Sequence, residues 1–455
     1  MAKRKVLKIT PVLVTLNIIV LLIIATFYSY RLVKYYSLEN SNTKSEDIIL
    51  VDSIIKTQSY VDLTKGLIFD KDSNTYTFKG DADNNYVLYS GVIFRILSID
   101  KDKNIKMVSD KSLTMMYSGL EKGYNSSYIN KWLNKSNIEH SGIFESVLYS
   151  SNSFLTNTSL CGDIVDDIDN ISCSEINKDN KITLLSLSDY KNAGGSKSFL
   201  NNGESFYLSS INSKNANYYI NNDGDIGTNI DTTKIYGVRP VITIKSETKL
   251  IKGNGSKEKP YQFESHQVTS LSNIYVGDII NIDGINYKVV ELGEQTVKVA
   301  LNDIYKSNGE SVKVYFDKTL NTYVSTNALY KYLNNNYLNT ISIKDDIIPR
   351  NWYIGKLTLD NLDYIDVYKN ESYAKIGMLT LGDLFVGDVN NVFTLSRGIQ
   401  DDTIINIIND NGNVYGDFIN NYHYVRPSFY LSKNISITSG IGTIDGPYEL
   451  GDIDE

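Results

Sequence analysis

A chain of 455 residues, 42 % hydrophobic and 22 % charged, has the make-up of a globular protein with room for more than one core. Its formal net charge of −8 disfavours electrostatic binding to nucleic acid or anionic polymers. Two cysteines and three histidines, none of them clustered, leave little for a metal centre or for general-base chemistry near neutral pH.

The N-terminus opens with a basic leader, residues 1–8, holding Lys3, Arg4, Lys5 and Lys8. Residues 9–30 carry no charge. At ~1.5 Å per residue they are long enough to cross a hydrocarbon core of roughly 30 Å. The charge bias across this run predicts a single-pass transmembrane signal anchor with a cytoplasmic N-terminus and extracellular C-terminal domains. A cleaved signal peptide is the competing reading; the length of the run and the lack of a small-x-small site count against it. Residues 31–60 read as a polar stalk leading into an amphipathic helix over 45–60, where Ile48, Val51 and Ile55 share a face. That face either packs on the next domain or joins copies of the chain into an oligomer.

The first unit, residues 61–264, begins with alternating strand patterns broken by Asp/Asn/Lys turns (GLIFDKDSNTYTFKG, then NNYVLYSGVIFRILSIDKDKNIKMVSD). A short helix is expected at 128–134, with Trp132 as a core anchor. Cys161 and Cys173 read as a disulfide closing an acidic loop, worth on the order of 3 kcal/mol outside the cytoplasm. A strand through KITLLSLSDY leads to Ser188 and Asp189, which are expected to start a short helix. FYLSS at 206–210 is another strand, and Asp223-Gly224 turns a hairpin.

The second unit, residues 265–455, repeats these pieces. Gly91, Phe94 and Arg95 fall opposite Gly284, Tyr287 and Lys288. Helix 128–134 matches 329–335, Asp189 matches Asp383, and Asn411-Gly412 takes the place of the hairpin turn. The closing segment YGVRPVITIKSETKLIKGNGSKEKPY returns as YVRPSFYLSKNISITSGIGTIDGPY at constant spacing (239 to 426, 260 to 447). An internal duplication is the economical reading.

The motifs GLIFDKDSNTYTFKG, the Trp132-Leu133-Asn134 helix, LLSLSDYKNAGG, YGVRPVI and GNG with Pro260-Tyr261 resemble an uncharacterised domain of surface and secreted proteins of low-GC Gram-positive bacteria. The resemblance covers most of residues 62–264 and is fainter over 265–455. It implies a distant relationship to the C-type-lectin-like fold. The expected fold class is therefore α+β: a transmembrane helix followed by two tandem, strand-dominated, C-type-lectin-like domains. The resemblance carries no catalytic residues.

Arg239 and Arg426 are candidates to grip a carboxylate or phosphate, with burial inside the domain as the bland account. Asp189 and Asp383 are the other candidates, as ligand or structural groups. Asp100-x-Asp102-x-Asn104 begins like a calcium loop, but lacks Gly at position six and has Lys111 at position twelve, so it reads as a turn. Asp163, Asp166, Asp167 and Asp169 form a second acidic cluster. No nucleophile elbow, P-loop or helix-borne His pair is present, and Gly253-x-Gly255 reads as a turn. No cofactor or metal is expected. The resulting expectation is a non-catalytic surface protein that binds a glycan, wall component or protein. The alternative is a scaffold subunit of an envelope complex.

Overall fold

Short runs rich in Ile, Val, Tyr and Phe, each stopped by an Asn, Asp or Gly turn, favour strands over helices along this chain. The computed structural model describes residues 48–57, 64–118, 123–135, 142–162, 164–231, 234–265, 267–353, 371–388, 391–397, 403–408 and 413–451. Every element below belongs to the unit Ile49–Glu455.

Each half contains a larger and a smaller sheet. In the first half the larger sheet runs Gly66–Asp70, Thr75–Lys79, Val92–Ile99, Ile105–Ser109, Pro240–Ile244, Ile182–Leu184, with Tyr86–Tyr89 hairpinned onto Val92–Ile99. In the second half the matching order is Ile279–Ile282, Ile285–Leu292, Thr296–Leu301, Pro427–Ser432, Ile376–Met378. The smaller sheets also share one order: Ile226–Asn229, Asn217–Ile220, Phe206–Ile211, Ile235–Val238, Thr114–Tyr117 beside Val414–Phe418, Ile404–Ile408, Val392–Arg397, Tyr422–Tyr424, Lys313–Tyr315.

The Val-Arg-Pro segment joins the two sheets of each half. Ile235–Val238 lies in the smaller sheet and Pro240–Ile244 in the larger, so Arg239 sits at the crossing. Arg426 occupies the same corner, between Tyr422–Tyr424 and Pro427–Ser432. The Gly-x-Gly turns that follow are built alike. A Cβ on Gly253 would meet the Pro260 carbonyl at 2.0 Å, and one on Gly440 would meet the Pro447 carbonyl at 2.1 Å. Both glycines also have φ +99°, which only glycine adopts cheaply.

A second device recurs. The Asn134 side chain brackets the Ile182 peptide with hydrogen bonds of 2.8 and 2.9 Å. Asn334 brackets Ile376 at 3.1 and 3.0 Å. Tyr124 and Tyr323 donate their hydroxyls to the same two carbonyls, at 2.6 and 2.7 Å. Many of the abundant tyrosines are thus strand and core residues with an internal partner for the hydroxyl.

The two halves share packing. Trp132 is 2 % exposed, stacks on Phe144 and donates its indole N–H to the Gly382 carbonyl at 2.9 Å. Met115 and Tyr117 pack in one apolar cluster with Val290, Ala300, Leu379 and Leu381.

The expected α+β class with a transmembrane helix does not hold. Strand accounts for 39 % of the structure and helix for 15 %, which makes the fold mainly β. Among the described residues no helix is long and apolar enough to cross a membrane. The predicted span 9–30, the leader 1–8 and most of the stalk lie outside the described residues. Within 31–60 one amphipathic helix, α1 (Leu50–Thr57), is described; it buries Leu50, Val51 and Ile54. The helix expected at 329–335 is a single α turn, Ala328–Lys331, that widens into a π segment, Tyr332–Tyr337. The start at Asp383 gives only turns. Gly382 and Phe385 have φ of +91° and +62°, which a right-handed helix does not accommodate.

The segment linking the halves holds two carboxylates that burial drives up to about 7: Glu264, which accepts the Ser90 N–H at 2.7 Å, and Asp278, which accepts the Tyr275 N–H at 2.9 Å. The folded state then binds more protons than the unfolded chain between the usual carboxylate range and about 7. Stability should be fuller near pH 5 and fall as pH rises through 7, by roughly 2–4 kcal/mol. Denaturant unfolding at pH 5 and 7.5 checks this, and Glu264→Gln with Asp278→Asn should flatten the slope.

Candidate functional site

A β-bulge re-aims the side chains beside it, and the larger sheets carry one at the same place. Between Val92–Ile99 and Ile105–Ser109 the register slips between Ile96 and Ser98, which sets Ser98 opposite Lys106. Between Ile285–Leu292 and Thr296–Leu301 it slips between Val289 and Glu291, which sets Glu291 opposite Lys298. Each lysine then reaches an aspartate that follows the strand two places along the sheet, Ile182–Leu184 or Ile376–Met378. Lys106 Nζ meets Asp189 at 2.8 Å, and Lys298 Nζ meets Asp383 at 2.8 Å.

The aspartates are held the same way. Asp189 Oδ2 accepts the Ser186 N–H and hydroxyl at 3.0 and 2.8 Å, closing a capping box on α2 (Leu187–Ala193). Ser186 is therefore the cap, not Ser188. Asp383 Oδ2 accepts the Thr380 N–H and hydroxyl at 2.7 and 3.0 Å. Two candidate residues of the sequence thus come to matching positions in the two halves.

Each pair lines a cavity. The first, of about 330 Å³, has Lys106 and Asp189 in its floor with Thr75, Ser98 and Ser188; Cys161 and Cys173 stand in its wall. The second, of about 370 Å³, has Lys298, Asp383 and Glu291 in its floor. It is also lined by Trp352, Tyr430 and Ser146 and Val147 of the short helix Ile143–Val147 of the first half. The floors match while the walls differ. Where the second cavity has Tyr430 opposite Lys298, the first half has Thr243 opposite Lys106.

The electrostatics differ too. Lys106 and Asp189 keep 12 % and 19 % of their side chains exposed, so water shares their pairing. Lys298 is 4 % exposed and faces the Trp352 ring at 5.1 Å. Burial pushes the Glu291 carboxyl above its usual range, against the pull of Lys298. Among the described residues its one hydrogen bond comes from the Tyr430 hydroxyl at 3.3 Å.

The other candidates fall elsewhere. Arg239 is 0 % exposed; Nε donates to the Ser109 carbonyl at 3.0 Å and Nη1 to the Leu200 carbonyl at 2.6 Å. Arg426 is 1 % exposed; it donates to the Leu301 and Phe385 carbonyls at 2.6 and 2.8 Å and pairs with Asp388 at 2.6 Å. Neither guanidinium lines either cavity. Cys161 and Cys173 lie at disulfide distance, with Cα atoms 5.5 Å apart. The Asp100 carboxylate accepts the Asp102 and Asn104 N–H groups at 2.9 and 2.8 Å, which makes the loop a turn. In the acidic cluster Asp166 accepts from Ser213 and Asp169 pairs with Lys191; Asp163 lies outside the described residues.

Sequence reading missed Lys106, Lys298, Glu291 and Tyr430. The signal was present in the paired strands, VIFRILSID and INYKVVELG each followed by a lysine-bearing strand, but it depends on where the bulges fall.

No family model, no curated protein and no solved structure matches this chain.

Proposed function

We propose that the region from Ile49 onward is a binding module, acting without catalysis outside the cytoplasm, that takes polar groups of a glycan, wall component or protein into two cavities of common plan. One observation carries this reading. The bulge, the lysine and the capped aspartate recur at both floors, while the walls around them diverge. The shared strand order supports an origin by duplication. The partly exposed Lys106–Asp189 pair offers a donor and an acceptor side by side, which suits hydroxyl and amide groups. Cysteines at disulfide distance fit an oxidising compartment.

A scaffold role in an envelope complex draws support from exposed aromatic side chains in the smaller sheet of the second half. Phe418 is 55 % and Tyr422 60 % exposed, and residues of this kind mark protein contacts.

Incubation of the full-length protein with purified cell-wall polymer and a glycan array separates the two. The binding module predicts retention on one or both. If both stay empty and the protein co-purifies with a membrane protein, the scaffold reading replaces it.

A further inference from the structure

Glu291, Lys298 and Tyr430 occupy one row across three neighbouring strands, because Lys298 is in register with both of the others. Asp383 completes the floor from the adjoining turn. Charges along this floor therefore alternate: Glu291 negative, Lys298 positive, Asp383 negative. Asp383 is fully occupied by Lys298 and the two Thr380 donors. Glu291 is not. Among the described residues its carboxylate holds a single long hydrogen bond, from Tyr430, and no ion pair.

With no direct ion pair among the described residues, burial raises the proton affinity of this carboxylate, and Lys298 and Arg350 oppose that only from a distance. The walls beside it are aromatic. Trp352 and Tyr430 already face the ammonium of Lys298 at 5.1 and 5.8 Å, and the Arg350 guanidinium lies 5.5 Å from the Tyr430 ring. Ring faces favour cations. The groups lining the cavity are two carboxylates against one ammonium, a net negative charge. The first cavity differs at this point, since Ser98 stands where Glu291 stands, and its second carboxylate, Asp100, is already taken up by the Asp102 and Asn104 N–H groups.

We propose that the second cavity is selective for ligand units bearing a protonated primary amine, which pairs with Glu291 and packs against Tyr430, whereas the first cavity has no such selectivity. This rests on the binding reading above and specifies the ligand chemistry of one of its two sites. A cavity of about 370 Å³ admits a single sugar or amino-acid-sized unit. N-acylation of the amine removes the charge and should remove the preference.

Ligand-observed saturation-transfer NMR on the full-length protein, with glucosamine and N-acetylglucosamine as probes, tests this directly. Glucosamine is expected to bind at least about tenfold more tightly than its acetylated form. Glu291→Gln should bring the two to equal affinity while leaving the melting temperature and wall-polymer binding through the first cavity in place. Equal affinity of the two sugars for the unaltered protein overturns the amine selectivity and leaves the binding reading standing. If neither sugar binds, the amine selectivity falls, and retention on wall polymer then decides the broader reading separately.

Discussion

Arg426→Ala should lower the unfolding free energy by about 3–5 kcal/mol, and Arg239→Ala by about 2–4 kcal/mol. Each guanidinium sits at the corner where the chain leaves one sheet for the other, wholly buried and bonded to one carbonyl of a neighbouring strand and one of a turn. Truncation leaves those carbonyls unpaired in a dry site and opens a cavity under the stem. The cost is larger at Arg426 because Asp388 loses a partner as well. Burial acts to raise the Asp388 carboxyl, yet Arg426 and Lys288 hold it below its usual range. Urea unfolding followed by circular dichroism reads both changes. Unchanged stability with lost ligand binding would show that the arginines serve a ligand instead.

Asp383→Ala has the other large expected effect, about 3–5 kcal/mol, since it strands an ammonium that is 4 % exposed. Asp189→Ala at the matching place should cost only about 1–2 kcal/mol, because water can replace the lost carboxylate beside a partly exposed Lys106. The contrast is the informative part. Equal losses at the two positions would mean that the pairs do not differ in burial in solution. Lys298→Met on the Asp383→Ala background should recover part of the stability by removing the stranded charge.

Much of the fold was legible in the chain itself. The Val-Arg-Pro strands, the Gly-x-Gly turns against Pro-Tyr, the Asp223-Gly224 hairpin and the Trp132 anchor depend on neighbours within a few residues, or on one strong preference. The helical share was overestimated for a related reason. Capping signals at Asp383 and the helical pattern at 329–335 point to helices, but a local cap closes a turn equally well, and the positive φ of Gly382 and Phe385 stops a helix there.

The site was half legible. Asp189 and Asp383 stand out because the two similar stretches of sequence align them. The lysines that meet them did not, since Lys106 and Asp189 are 83 residues apart and Lys298 and Asp383 are 85. A single extra residue in a strand decides which face a side chain takes, and sequence does not announce a bulge. Arg239 and Arg426 attracted attention for the opposite reason: an arginine between strands looks like a ligand group until its carbonyl partners are known.

The most direct measurement is wall-polymer binding by variants that plug the cavities at their rims, Ser188→Trp in the first and Ser146→Trp in the second. Ser146 lies at an exposed position and Ser188 at a half-buried one, so the melting temperatures should change little. Each single variant is expected to weaken binding about tenfold, and the double variant to abolish it. Full binding by the double variant, with its fold intact, would contradict the assignment of these cavities as the binding sites.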